Sequence, residues 1–260
     1  MIEEPYRWVE AIANRREYIE HQLASGSPIA VLSYREGILL FTLGRERQKL
    51  FEIYDRIGLG AIGHPGDIER LRMTAIEITS TEGFARSAHD VSLRRLANYS
   101  LSPALKAAFE QVYGPPYLAR MIFAELGREG APNTFLRLDY DGAIHTNGGA
   151  FGKAFQEFGV ISGTAASTAK MEQFLQQQTL PAASLEKALE IAMDAWTVGH
   201  LTLSAEPTEE LPADEEIAKH RTDQLAAATI EAAILSDTGT QAVTWRLLTD
   251  AEIRTTLEKR

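Results

Sequence analysis

The chain has 260 residues, 45% hydrophobic and 24% charged, with a formal net charge of -10 and no cysteine. That length suits one domain with appendages, and the acidic balance excludes a general nucleic-acid role, which needs a basic surface. Without cysteine there are no disulfides, thiolate metal sites or cysteine nucleophiles, which fits a reducing cytoplasm. The N-terminus carries charges every few residues, unlike a signal peptide. The longest apolar run, Ile38 to Leu43, is far short of the roughly 20 residues that span a bilayer, so no membrane partner is expected.

Trp8, Ile12, Ile19 and Leu23 fall near one face at helical spacing and predict an amphipathic helix ended by Ser25-Gly26. Pro28 stops it, and Ile29 to Tyr34 and Ile38 to Leu43 form a hairpin across Arg35-Glu36-Gly37. Both runs are apolar on both faces, so their sheet is covered on each side. Two short strands follow, Leu50 to Tyr54 and Ile57 to Ile62, in which Gly58 and Gly60, with Gly63 after them, mark close packing or a tight backbone approach. A helix opens at Pro65 and Asp67, and a second from about His89, where Ser102-Pro103 predicts a kink or a fresh start capped by Ser102.

Strands are expected at Leu118 to Leu126, Thr134 to Asp139, about Ala143 to Gly148 and Phe158 to Ser162. Asp139 and Asp141 read as turn residues beside Gly142 rather than as paired carboxylates. Helices then run over about Ala166 to Gln178 and, capped by Ser184, to Leu201. Residues 204–220 are expected to be an acidic solvated loop, with an acidic docking surface as the alternative, since Glu206 to Glu216 holds six acidic residues, two prolines and no base. A final hairpin, Thr229 to Leu235 and Ala242 to Leu247 across Asp237-Thr238-Gly239, precedes a helix near Thr249. This order suits an α+β fold, a four-layer αββα sandwich of two antiparallel sheets, because each apolar sheet face then meets a helix layer.

In place and order, GSPIAVLSYREGILLFT, QKLFEIYDRIGLGAIG, a helix opening HPGDIERLR, LRRLANY and TIEAAILSDTGTQAVTWRLL resemble proteasome α subunits of the actinobacterial type. The resemblance runs from about Tyr6 to Leu257 and is weakest in the acidic loop. It implies the N-terminal-nucleophile (Ntn) hydrolase fold, with an extra helix in residues 1–26 ahead of a domain in 27–260. It also implies homo-heptameric α-rings stacked on rings of β-type subunits, protein substrates, a gate over their entry and a ring-shaped AAA ATPase activator. The stripe of Trp8, Ile12, Ile19 and Leu23 lies outside the minimal sandwich and is expected to serve ring assembly. By the same resemblance Lys49, just ahead of its strand, lies in a pocket between neighbouring subunits and binds the C-terminal carboxylate of an activator. A solvated lysine in the charged turn of Arg45, Arg47 and Lys49 is the alternative.

Catalytic members of that fold use a processed N-terminal residue as nucleophile and its own α-amino group as base. The corresponding place is Gly26-Ser27, so an active β-type peptidase with Ser27 exposed by processing is the alternative function, and a stand-alone amidase a further one. Against both, Pro28 constrains the Ser27 backbone, and Leu43 stands where catalytic relatives carry an aspartate. The expectation is a non-catalytic, gating subunit. No cofactor or metal is expected: the six histidines, at 21, 64, 89, 145, 200 and 220, show no ligand spacing, and no phosphate-binding G-x-x-x-x-G-K-[ST] loop occurs. Gly148-Gly149 and Gly152 read as a flexible loop.

Overall fold

Apolar runs without polar alternation belong to strands buried on both faces, and β1 (Ile29–Tyr34) and β2 (Gly37–Gly44) are such strands, buried along almost their whole length. The computed structural model describes residues 5–44, 47–111, 113–128, 130–146, 157–180, 182–204, 210–236 and 244–257. The other strands are β3 (Leu50–Tyr54), β4 (Ile57–Gly63), β5 (Ala119–Glu125), β6 (Thr134–Leu138), β7 (Ile144–Thr146), β8 (Phe158–Ile161), β9 (Thr229–Ser236) and β10 (Thr244–Leu247). They form two antiparallel five-stranded sheets, ordered β10-β9-β2-β1-β8 and β3-β4-β5-β6-β7.

Successive side chains of a strand point to opposite faces. In β1, Ile29 and Val31 enter the layer between the sheets, while Ala30 and Leu32 face the helices outside. Ile122 and Ala124 of β5 meet the first pair from the second sheet. Of the two expectations for the β4 glycines, close packing is what Gly58 and Gly60 show, against side chains of the facing sheet. A Cβ at Gly58 would lie 2.8 Å from the Trp245 ring and one at Gly60 2.9 Å from Ile29 Cγ2, both tighter than carbon atoms tolerate.

Each sheet carries a helix layer, so the four-layer αββα sandwich is the observed architecture. On the second sheet lie α2 (Pro65–Ala85), α3 (Leu93–Leu96) and α4 (Ser102–Glu110), which contribute Leu71, Leu93 and Leu105 to one core. On the first lie α5 (Ala165–Leu175), α6 (Leu185–Leu201) and α8 (Asp250–Leu257), which contribute Met171, Trp196 and Ile253 to another. Ser184 caps α6 by accepting from Lys187 N. Among the described residues no helix is long and apolar enough to cross a membrane.

Three expectations need correction. The helix expected from about His89 is broken: a 3₁₀ turn covers Ala88–Asp90, α3 starts beyond Ser92, and a π-helical turn spans Ala97–Leu101. Pro103 has no N–H to donate and its ring crowds the carbonyl four residues back, which widening the preceding turn relieves. Ser102 does not cap α4; it sits inside the first turn and donates to the Gly142 carbonyl at 2.6 Å. The acidic loop expected over 204–220 does not hold for its second half, because Asp214–Ala227 is a helix, α7. Asp214, Glu215 and Glu216 occupy its first turn, where carboxylates complement the helix dipole. The Asp237-Thr238-Gly239 turn and the Gly148-Gly149 and Gly152 segment fall outside the described residues.

The N-terminal helix α1 (Pro5–Leu23) is tied to the sandwich through its second half. Ile19 and Leu23, both at most 1% exposed, form a small core with Phe109 and Tyr140. Glu20 accepts from Arg120, which also reaches Asp139 at 2.5 Å and donates to the Ser162 carbonyl at 2.9 Å. Asp139 and Asp141 do form the expected turn, with Gly142 N donating to the Asp139 carbonyl at 2.9 Å.

Candidate functional site

At one end of the sandwich the end of α1, the start of β1, the end of β2 and the entry to β3 surround an open cavity of about 760 Å³. Two sequence-predicted residues, Ser27 and Lys49, meet there, and Leu23 forms part of the wall. Trp8 and Ile12 lie away from it on the first half of α1. Trp8 and its neighbour Val9 are 51% and 60% exposed, whereas Ile12 packs partly on the Ile19 cluster. Of the proposed assembly stripe, Ile19 and Leu23 are therefore consumed inside the chain, since the segment 109–140 already supplies their apolar partners.

The Ser27 hydroxyl is held by two bonds, donating to the Leu43 carbonyl at 2.6 Å and accepting from Trp196 Nε1 at 3.1 Å. Neither partner is a base that could remove its proton. Leu43 turns its side chain into the core beneath α6 and leaves its carbonyl at the cavity. The peptide joining Gly26 to Ser27 lies in bonded backbone: Gly26 N donates to the Leu23 carbonyl, and the Gly26 carbonyl accepts from Gly163 N.

Lys49 stands at the mouth of β3, half-buried. Its ammonium makes one long bond, to the Leu43 carbonyl at 3.4 Å, and pairs with no carboxylate among the described residues. Burial pulls its pKa below the ordinary lysine value, and the nearby Glu231 charge pulls it partly back up. Glu231 itself points at the backbone: its carboxylate accepts from Lys49 N at 2.9 Å and from Leu50 N at 2.8 Å. Burial raises the Glu231 pKa, and those two bonds and the lysine charge oppose the rise.

The far wall comes from α6 and α7. Trp196 stacks on His200, with ring centroids 4.7 Å apart and planes 18° from parallel. His200 Nδ1 in turn lies 2.9 Å from His220 Nε2, which joins α6 to α7 beside the Arg221 to Asp194 ion pair. This assembly has a cation, an aromatic wall and hydrogen-bonded backbone, features suited to holding an anionic chain end. Among the described residues around it, no nucleophile is paired with a base.

Sequence reasoning missed Trp196 and Glu231 as site residues. Glu231 had a signal, a lone carboxylate in the otherwise apolar Thr229–Ser236 strand. Trp196 had none, because its periodicity marks the helix face buried in the core.

No protein-family model matches the chain. Among curated proteins it is 31% identical over 192 residues to proteasome subunit alpha of Parafrankia sp., covering 73% of this chain and 74% of that protein. It is 30% identical over 210 residues to proteasome subunit alpha of Streptomyces griseus, covering 79% and 71%. With proteasome subunit alpha of Mycolicibacterium smegmatis the match is 30% over 253 residues, 95% of this chain and 90% of that protein.

Proposed function

Because the chain belongs to the proteasome α-subunit family, we propose that it builds the α-ring of a cytoplasmic proteasome core particle. It gates substrate entry and docks a ring-shaped AAA ATPase there, leaving cleavage of protein substrates to β-type partners. Heptameric rings follow from the family reading, and the exposed Trp8 and Val9 offer an apolar contact for a neighbouring copy.

The observation that carries docking is Lys49. A half-buried ammonium with one long carbonyl bond and no ion pair among the described residues is under-satisfied. An incoming C-terminal carboxylate supplies the missing charge, a contact worth about 2–5 kcal/mol when desolvated. The apolar wall behind it suits the side chains ahead of that carboxylate. The Ser27 geometry supports a non-catalytic role, since the partners of its hydroxyl are a carbonyl and an indole N–H and neither is a base.

Lys49→Ala is the test, with native mass spectrometry confirming intact particles. ATPase-stimulated degradation of a folded protein is expected to fall to the unstimulated level. Stimulation equal to wild type would return Lys49 to the role of a surface lysine.

A further inference from the structure

Glu231 lies on β9 in the first sheet, opposite Thr42 of β2, yet its carboxylate serves the second sheet. Oε1 accepts from Leu50 N at 2.8 Å and Lys49 N at 3.1 Å, and Oε2 accepts from Lys49 N at 2.9 Å. The side chain thus bridges the sheets at the cavity and ties down the backbone from which Lys49 springs. The ammonium end of the same lysine reaches the Leu43 carbonyl on β2, also in the first sheet. Lys49 is held at both ends by one sheet while belonging to the entrance of the other.

We propose that Glu231 is the positioning residue of this site, fixing Lys49 so that its ammonium stands at the cavity wall to receive a ligand carboxylate. Three features separate this role from a simple bridge between sheets. The carboxylate is spent on backbone N–H groups and does not pair with the ammonium, so the lysine charge is left for the ligand. It is close enough to favour the charged lysine against the burial that disfavours it. It also does so from a largely buried place, where water screens it little. The inference rests on the Lys49 reading above.

The test uses the full chain as wild type, Glu231→Gln, Glu231→Asp, Lys49→Ala and the Lys49→Ala/Glu231→Gln double variant. The probe is a short labelled apolar peptide with a free C-terminal carboxylate, compared with its C-terminal amide. A second readout is the rate at which limiting acetic anhydride acetylates Lys49 relative to the exposed Lys106, followed by mass spectrometry.

Wild type is expected to prefer the free carboxylate. Glu231→Gln keeps one acceptor oxygen but sets an amide NH2 against a backbone N–H in place of the second, so the anchored Lys49 backbone loosens and that preference should fall about tenfold. Lys49 acetylation should rise, because the charge that opposes the effect of burial is gone and only the neutral amine reacts. Glu231→Asp should fall between the two. In the Lys49→Ala background the Gln change should do nothing further to peptide binding, which a general structural defect would not predict. Wild-type discrimination retained in Glu231→Gln, with Lys49 acetylated at the wild-type rate, overturns the inference alone. So does a Glu231→Asp protein that matches wild type in both readouts, the deciding variant if Glu231→Gln does not fold. Equal wild-type binding of carboxylate and amide peptides overturns the Lys49 reading, and this inference with it.

Discussion

Arg120 keeps its charge in the interior at 5% exposure, which is costly unless every donor is used. Its partners come from three distant parts of the chain: Glu20 on α1, Asp139 at the turn after β6, and the carbonyls of Ser162 and Gly163 after β8. Removing the cation takes away the short Arg120 bond and leaves Asp139 with the looser Arg137 contact at 3.7 Å. Arg120→Met is therefore expected to destabilise the fold by about 3–5 kcal/mol in denaturant titration, the usual consequence of breaking a buried pair from one side. Adding Asp139→Asn should recover part of the loss. If Arg120→Met is neutral, the network contributes nothing to stability.

The two halves of α1 do different work, and single substitutions can separate them. Ile19→Ala opens a hole beside Leu23, Phe109 and Tyr140, and should cost about 2–5 kcal/mol of chain stability. Trp8→Glu alters a side chain that is half exposed, so unfolding should shift by no more than about 0.5 kcal/mol, while ring assembly, followed by native mass spectrometry, weakens. The same helix shows what the sequence could reveal. Its periodicity announced a helix with an apolar face, but periodicity does not say whether the partner of that face is the same chain or another. Phe109 and Tyr140, far along the sequence, decide it for Ile19. The strands were legible because residues 29–34 and 38–43 are apolar on both faces, and the glycines of β4 signalled their own tight packing. Helix α7 was not legible, since Ile217 is its one fully buried residue and no apolar stripe shows through. Lys49 and Ser27 could be named from their places along the chain. Glu231 becomes a partner of Lys49 only when the sheets close on each other.

On the scale of the whole molecule, buried carboxylates shape the pH response. Glu125, on β5, is raised above the usual carboxylate range chiefly by burial, with its bond from Leu93 N and the nearby arginines opposing the rise. A raised carboxyl pKa penalises the folded state above the unfolded value, because the unfolded chain ionises more readily; the penalty disappears once both states are protonated. Glu125→Gln should therefore raise the thermal midpoint near neutral pH, and the gain should shrink as pH falls towards the ordinary value of 4.5. A gain that grows on acidification would reverse the assignment.

The cavity wall has a consequence at this same scale. Gln22 and Leu23, the last turn of α1, line the space that Lys49 faces. Helix and cavity are thus two sites sharing one boundary, and binding free energies across a shared boundary are reciprocal. A guest that prefers one placement of the helix end shifts the helix towards it. A neighbouring subunit that clamps α1 in that placement must strengthen the guest by the same factor, so the affinity of the cavity is in part a property of whatever holds the helix.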